Sequence, residues 1–97
     1  MPLFHILRRI PEATPEDLDA AALRSIVCAY EFSGLRWLHS AWDRERGELV
    51  CCYEAADAHQ IEEHARRASI PCDEVREITL IRPTDYAHLA PDVVEAR

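Results

Sequence analysis

Three residue types that bind transition metals or move protons fall on one predicted strand face: His39, Cys52 and Glu54. Divalent transition metals take imidazole, thiolate and carboxylate ligands that converge from two or more elements. This face supplies all three, and His64, on the second predicted helix, joins them if the face looks toward that helix. Without a metal the same set offers His39 as a general base with Glu54 orienting it. The plainer alternative is a hydrogen-bonded His39–Glu54 pair beside Trp37, because buried polar groups ordinarily find partners.

The element that must position these residues is a hairpin spanning residues 35–55, LRWLHSAWDRERGELVCCYEA. Two apolar runs flank Arg44-Glu45-Arg46-Gly47, a polar loop ending in Gly, which suits a four-residue closure with the glycine left-handed. That closure sets Asp43 opposite Glu48, Trp42 opposite Leu49, Ser40 opposite Cys51 and Leu38 opposite Tyr53. The other face then carries Leu35, Trp37, His39, Ala41, Val50, Cys52 and Glu54. His39 lies opposite Cys52, with Glu54 one diagonal step away. A three-residue loop would shift the register by one and scatter the set, since strand side chains alternate with period two.

A second constellation is aromatic. Trp37, Trp42 and Tyr53, with Leu38 and His39, can line an apolar cavity for a small organic molecule. Other candidates have plainer readings. His5 shares a strand face with Leu3 and Leu7 and fits a core or interface histidine. His59, with Glu62 and Glu63, reads as a solvated helix face with ordinary i,i+4 pairing, and His88 lies in the tail. Arg8 and Arg9 could grip an anionic ligand, but strand-end arginines ordinarily face solvent. Cys28, Cys51, Cys52 and Cys72 show no C-x-x-C spacing and read as small buried hydrophobes. Adjacent Cys51 and Cys52 point to opposite faces of a strand and cannot serve one site.

The chain of 97 residues makes one domain, large enough to fold without disulfides or metal. A net charge of −7 argues against nucleic acid, which needs a basic stripe. All eleven basic residues are arginine, a bias that fits a GC-rich genome. No apolar run approaches the roughly 20 residues of a membrane span, and no leader-like segment opens the chain. The expected location is cytoplasmic, where free thiols are the rule.

In order, residues 2–10 read as a first strand, with Leu3, His5 and Leu7 on one face and Phe4, Ile6 and Arg8 on the other. Thr14 caps a helix with Pro15 at its first position and acids in its first turn, running to about Phe32 with Gly34 as a stop. Leu18, Ala22, Ser25, Ala29 and Phe32 line one side; Leu23, Ile26, Val27 and Tyr30 form a second apolar stripe that the tail or another subunit must cover. Asp57 caps a second helix from Ala58 to about Ala68, with Ala58, Ile61, Ala65 and Ala68 buried and His64 at their border. Residues 74–81 form a last strand. The order is β-α-β-β-α-β, a ferredoxin-like α+β sandwich in which two helices cover one face of a four-stranded antiparallel sheet. Because the strands are apolar on both sides, the expected assembly is a homodimer of the dimeric α+β barrel type. The domain spans residues 1–82, and residues 83–97 form a tail, with Tyr86, Leu89, Val93 and Val94 apolar, that packs on the domain or on a partner subunit.

The chain resembles a family of small bacterial nickel-binding proteins with a ferredoxin-like fold, long catalogued as a domain of unknown function. The shared residues begin with Met1-Pro2-Leu3-Phe4, Pro11, Thr14 and Glu16-Asp17-Leu18, and continue through Gly34-Leu35-Arg36-Trp37-Leu38. Asp43, Glu45-Arg46-Gly47, Cys51, Ala55, Asp57, Asp73-Glu74-Val75 and Glu77 complete them, covering residues 1 to about 80. The resemblance implies a nickel-binding homodimer with no assigned reaction. Many members place an acid and a histidine on the first strand, where this chain has Ile6 and Arg8. They often carry a histidine and an acid on the first helix, where it has Ala22 and Ser25; His64 matches a histidine on the second helix. The other reading is a cofactor-free dimer that binds or transforms a small organic molecule in a cavity lined by Trp37, His39 and Tyr53, by analogy of fold alone.

Overall fold

The computed structural model describes residues 1–94, with side chains through Asp92. Strand β1 (Leu3–Arg9) leads to helix α1 (Pro15–Ala29), the hairpin β2 (Arg36–Asp43) and β3 (Glu48–Glu54), helix α2 (Ala58–Ala68) and strand β4 (Glu74–Ile78). A 3-10 turn (Pro83–Tyr86) and helix α3 (Pro91–Val94) follow in the tail, whose last residues, 95–97, lie outside the described chain. The sheet order is β2-β3-β1-β4, antiparallel throughout. This is the expected ferredoxin-like α+β fold.

Local chemistry explains the boundaries. Thr14 and Asp17 form a reciprocal capping box at the start of α1, with Pro15 at the first helical position. Asp57 caps α2 by accepting from the Gln60 backbone N–H at 2.9 Å. α1 stops at Ala29 rather than Phe32. Beyond it, Glu31 and Phe32 donate to Cys28 and Ala29, tightening the spacing, before Gly34 (φ +81°) turns the chain into β2. β4 ends at Ile78 rather than Ile81, because its last partner, Leu3, begins β1 and no strand remains to pair with.

Phe4 and Ile6 of β1, Cys51 and Tyr53 of β3, Leu35, Ala55 and Ile61 make the core between sheet and helices. Ser25 on α1 and Ile61, His64, Ala65 and Ala68 on α2 complete the helical side. The second stripe of α1 stands in water: Leu23, Ile26, Val27 and Tyr30 are 63%, 49%, 57% and 89% exposed. The radius of gyration is 15.5 Å, against about 12–13 Å for a compact chain of this length. Ile81 and, in the tail, Tyr86 and Leu89 stand in solvent.

Candidate functional site

The hairpin closes as its turn chemistry requires, with Gly47 left-handed at φ +65° and Asp43 opposite Glu48. Trp42–Leu49, Ser40–Cys51 and His39–Cys52 pair in the expected register. A bulge between Trp37 and His39 then changes the outcome. The extra residue, Leu38, takes no partner, so Trp37 rather than Leu38 lies opposite Tyr53. Trp37 therefore leaves the face of His39 and joins Ser40, Cys51 and Tyr53 on the helix-facing side. Its indole N–H donates to Ser40 Oγ at 2.9 Å, and its ring stacks on Tyr53 with centroids 6.5 Å apart.

The proposed metal set divides across the sheet. His39 and Cys52 meet on the open face, where Cys52 is also in register with His5 of β1. Glu54 is on that face but forms an ion pair with Arg36 at 3.3 Å. Cys52 is fully buried; burial raises its thiol pKa, partly offset by the nearby charge of Arg82. His64 lies on the other side, buried against Phe32 and Tyr53, with Nε2–H donating to the Ser25 carbonyl at 2.9 Å. Burial, with a smaller push from the charge of Arg8, lowers its pKa, although the Ser25 bond works the other way. No group of three His, Cys, Asp or Glu side chains able to hold a metal ion is formed among the described residues.

The helix-facing side holds a different site. A cavity of about 200 Å³ opens between α1 and the sheet, walled by Leu18, Ala21 and Ala22 of α1, Leu49 of β3, Ile10 and Ile70. Trp37 and Tyr53 reach it; Trp42, Leu38 and His39 do not. Trp42 sits instead under the Arg44 guanidinium at 4.7 Å, with a buried indole N–H that meets no acceptor.

Arg8 also lines the cavity and is only 2% exposed, which corrects the solvent-facing expectation for a strand-end arginine. Alternation puts it on the core face with Phe4 and Ile6. Its Nε donates to Cys51 Sγ at 3.4 Å, its Nη1 to the Pro71 carbonyl, and its cationic head stands 5.9 Å from the centre of the Tyr53 ring.

The positions that the family resemblance associates with metal thus carry Ile6, Arg8, Ala22, Ser25 and His64. Ile6 and Ala22 have no donor atom, and Arg8 is a fixed cation that repels a metal ion. Ser25 offers only a weakly ligating hydroxyl, and His64, which donates Nε2–H to the Ser25 carbonyl, keeps Nδ1 as the one good donor atom among the five. This donor set does not fit nickel.

Comparison with known proteins places the chain. No curated protein matches it. The crystal structure of SCO4226 from Streptomyces coelicolor A3(2) is similar in fold, with a TM-score of 0.74 at 20% identity over 82% of this chain and 99% of the other. A family model described as "Nickel responsive protein SCO4226-like" matches residues 4–78, most of the chain. The chain belongs to the SCO4226-like family of nickel-responsive proteins.

Proposed function

We propose that this protein is a small-molecule-binding member of its family, with its ligand seated between α1 and the sheet. The observation that carries the reading is the apolar cavity backed by the Trp37–Tyr53 stack, with a few polar groups set in otherwise greasy walls. Concave apolar sites with sparse polar groups are the usual form of small-ligand pockets. The reading is one of binding: His64, packed on Tyr53 behind the cavity, spends its Nε2–H on the Ser25 carbonyl.

A fragment screen read by Trp fluorescence and NMR tests this on the full chain, with Ala22→Leu as the cavity-filling control. Ligands that perturb Trp37 and lose binding in Ala22→Leu support the site. A screen whose hits bind Ala22→Leu unchanged would overturn it.

A second reading keeps the family's nickel. Cys52 stands in register with both His5 and His39 on the open face, so two imidazoles flank one thiol across three strands. Within one chain these three form no group able to hold a metal. This reading therefore requires a second copy packed on that face to bring ligands of both copies together, and a homodimer in the cytoplasm is part of it. Its test is nickel titration by calorimetry. Micromolar or tighter binding that Cys52→Ser and His39→Ala both abolish supports it; heat unchanged in both variants, or no heat, refutes it.

A further inference from the structure

We propose that the cavity takes an organic monocarboxylate with an apolar body, its carboxylate held by Arg8. This rests on the small-molecule reading above and names the class of ligand.

Arg8 is a permanent charge in a place where charge is expensive. Buried arginines are normally matched by carboxylates, and removing one partner of such a pair leaves a costly orphan. None of the partners of Arg8 is an anion: a thiol, a backbone carbonyl and an aromatic face. Among the described residues no Asp or Glu forms an ion pair with it, whereas Arg9, Arg36, Arg46, Arg66, Arg67 and Arg76 each have one. Its Nη2 takes part in neither the Cys51 nor the Pro71 bond, and the Tyr53 hydroxyl lies beside the guanidinium. Arg8 lines the cavity, so a ligand seated there can meet its guanidinium.

The surroundings of Arg8 narrow the ligand class. Tyr53 and Ser25 line the same cavity, with their hydroxyls close to each other. Burial raises the Tyr53 pKa above its usual value, with the charge of Arg8 acting in the opposite sense, so the phenol stays a neutral donor. One guanidinium and two hydroxyls suit the two oxygens of a carboxylate; a phosphate dianion would be left half compensated.

Two other charged residues line the cavity, and both are engaged. The Asp17 carboxylate accepts from the Thr14 backbone N–H at 2.9 Å, and Arg24 donates Nε to the Ala68 carbonyl at 2.8 Å. The apolar walls require an apolar body, and about 200 Å³ gives room for roughly six or seven groups of water size. A short-chain or aromatic acid fits these limits.

The test titrates phenylacetate and hexanoate, each beside its neutral amide, into the full chain by calorimetry and NMR. A hydrogen-bonded charge pair predicts that the acids bind about ten- to a hundredfold tighter than the amides. Arg8→Met should erase that preference while amide binding survives, and Arg8→Lys should restore part of it. Shifts at Ser25 and Tyr53 should accompany acid binding in the wild type. Equal binding of acid and amide overturns the anion while leaving the small-molecule reading standing. An acid preference that persists in Arg8→Met overturns the role of Arg8. Binding of neither acid nor amide, with fragment hits elsewhere in the same cavity, overturns the carboxylate alone; no ligand of any kind in that cavity overturns both readings.

Discussion

Trp37 lies directly opposite Tyr53 across the β2–β3 ladder, the two rings 17° from parallel, because one residue between Trp37 and His39 is left unpaired. The bulge has two consequences. It moves an indole from the open face to the cavity, and it separates Trp37 from His39, its neighbour but one in sequence.

The stack should be measurable as a coupling. In a double-mutant cycle with Trp37→Ala and Tyr53→Leu, stability measured by urea unfolding should show an interaction of about 0.5–1.5 kcal/mol. Additive losses would mean that the rings touch without mutual stabilisation. Trp37→Phe should fall between, keeping an aromatic face and losing the hydrogen bond to Ser40.

The sequence carried the elements well because their signals are local. The Thr14 and Asp57 caps, the period of each helix and the Gly47 turn each need only a few neighbouring residues. The bulge at Leu38 left no such mark, since an unpaired residue in an apolar strand changes no pattern that alternation can register. The division of His39 from His64 was equally hidden: with both sheet faces apolar, periodicity does not say which one the helices cover. Arg8 was different. Its position alternates with Phe4 and Ile6, and the strand pattern indicated burial more faithfully than the general habit of strand-end arginines.

Gly47 and Gly34 both take left-handed backbone conformations. A left-handed conformation costs an L side chain about 1–2 kcal/mol. At Gly47 an added Cβ would also stand 2.4 Å from Pro11 Cα, and the Gly47 carbonyl accepts from Ile10 at 2.7 Å, so neither chain can give way cheaply. At Gly34 the nearest atom is the flexible end of Met1, at 2.7 Å. Gly47→Ala should cost more than about 2 kcal/mol, a fall in Tm of about 10 °C or more, and Gly34→Ala clearly less. Equal losses in thermal unfolding would refute the claim that Pro11 locks the hairpin turn.

His64 should make stability depend on pH. Its folded pKa lies below the unfolded value of about 6.5, because burial disfavours the imidazolium. The unfolded chain therefore binds the extra proton as pH drops. The stabilisation is fully present above about pH 6.5 and is lost as pH falls toward the folded pKa, with a slope of at most about 1.4 kcal/mol per pH unit. Urea unfolding between pH 5 and 7.5 measures this. His64→Gln keeps a donor for the Ser25 carbonyl and should flatten the curve by that amount; an unchanged slope would assign the titration to another histidine.

The exposed stripe of α1 bears on assembly. Leu23, Ile26, Val27 and Tyr30 form a helical face in open water, and Ile26 and Tyr30 border a shallow groove with Leu35 and Trp37. The open sheet face is more mixed: Val50, Ala41 and Leu7 sit among the Arg36–Glu54 and Glu74–Arg76 ion pairs. Contiguous apolar surface of the first kind marks an interaction site more often than the second. Sedimentation velocity at micromolar concentration should show a dimer that Leu23→Glu with Ile26→Glu converts to monomer, while Val50→Glu leaves it intact. The reverse pattern would mean that the copies meet sheet to sheet, bringing the two Cys52 sites together. A wild-type monomer at that concentration would refute dimerisation through either face and would remove the second copy on which the nickel reading depends.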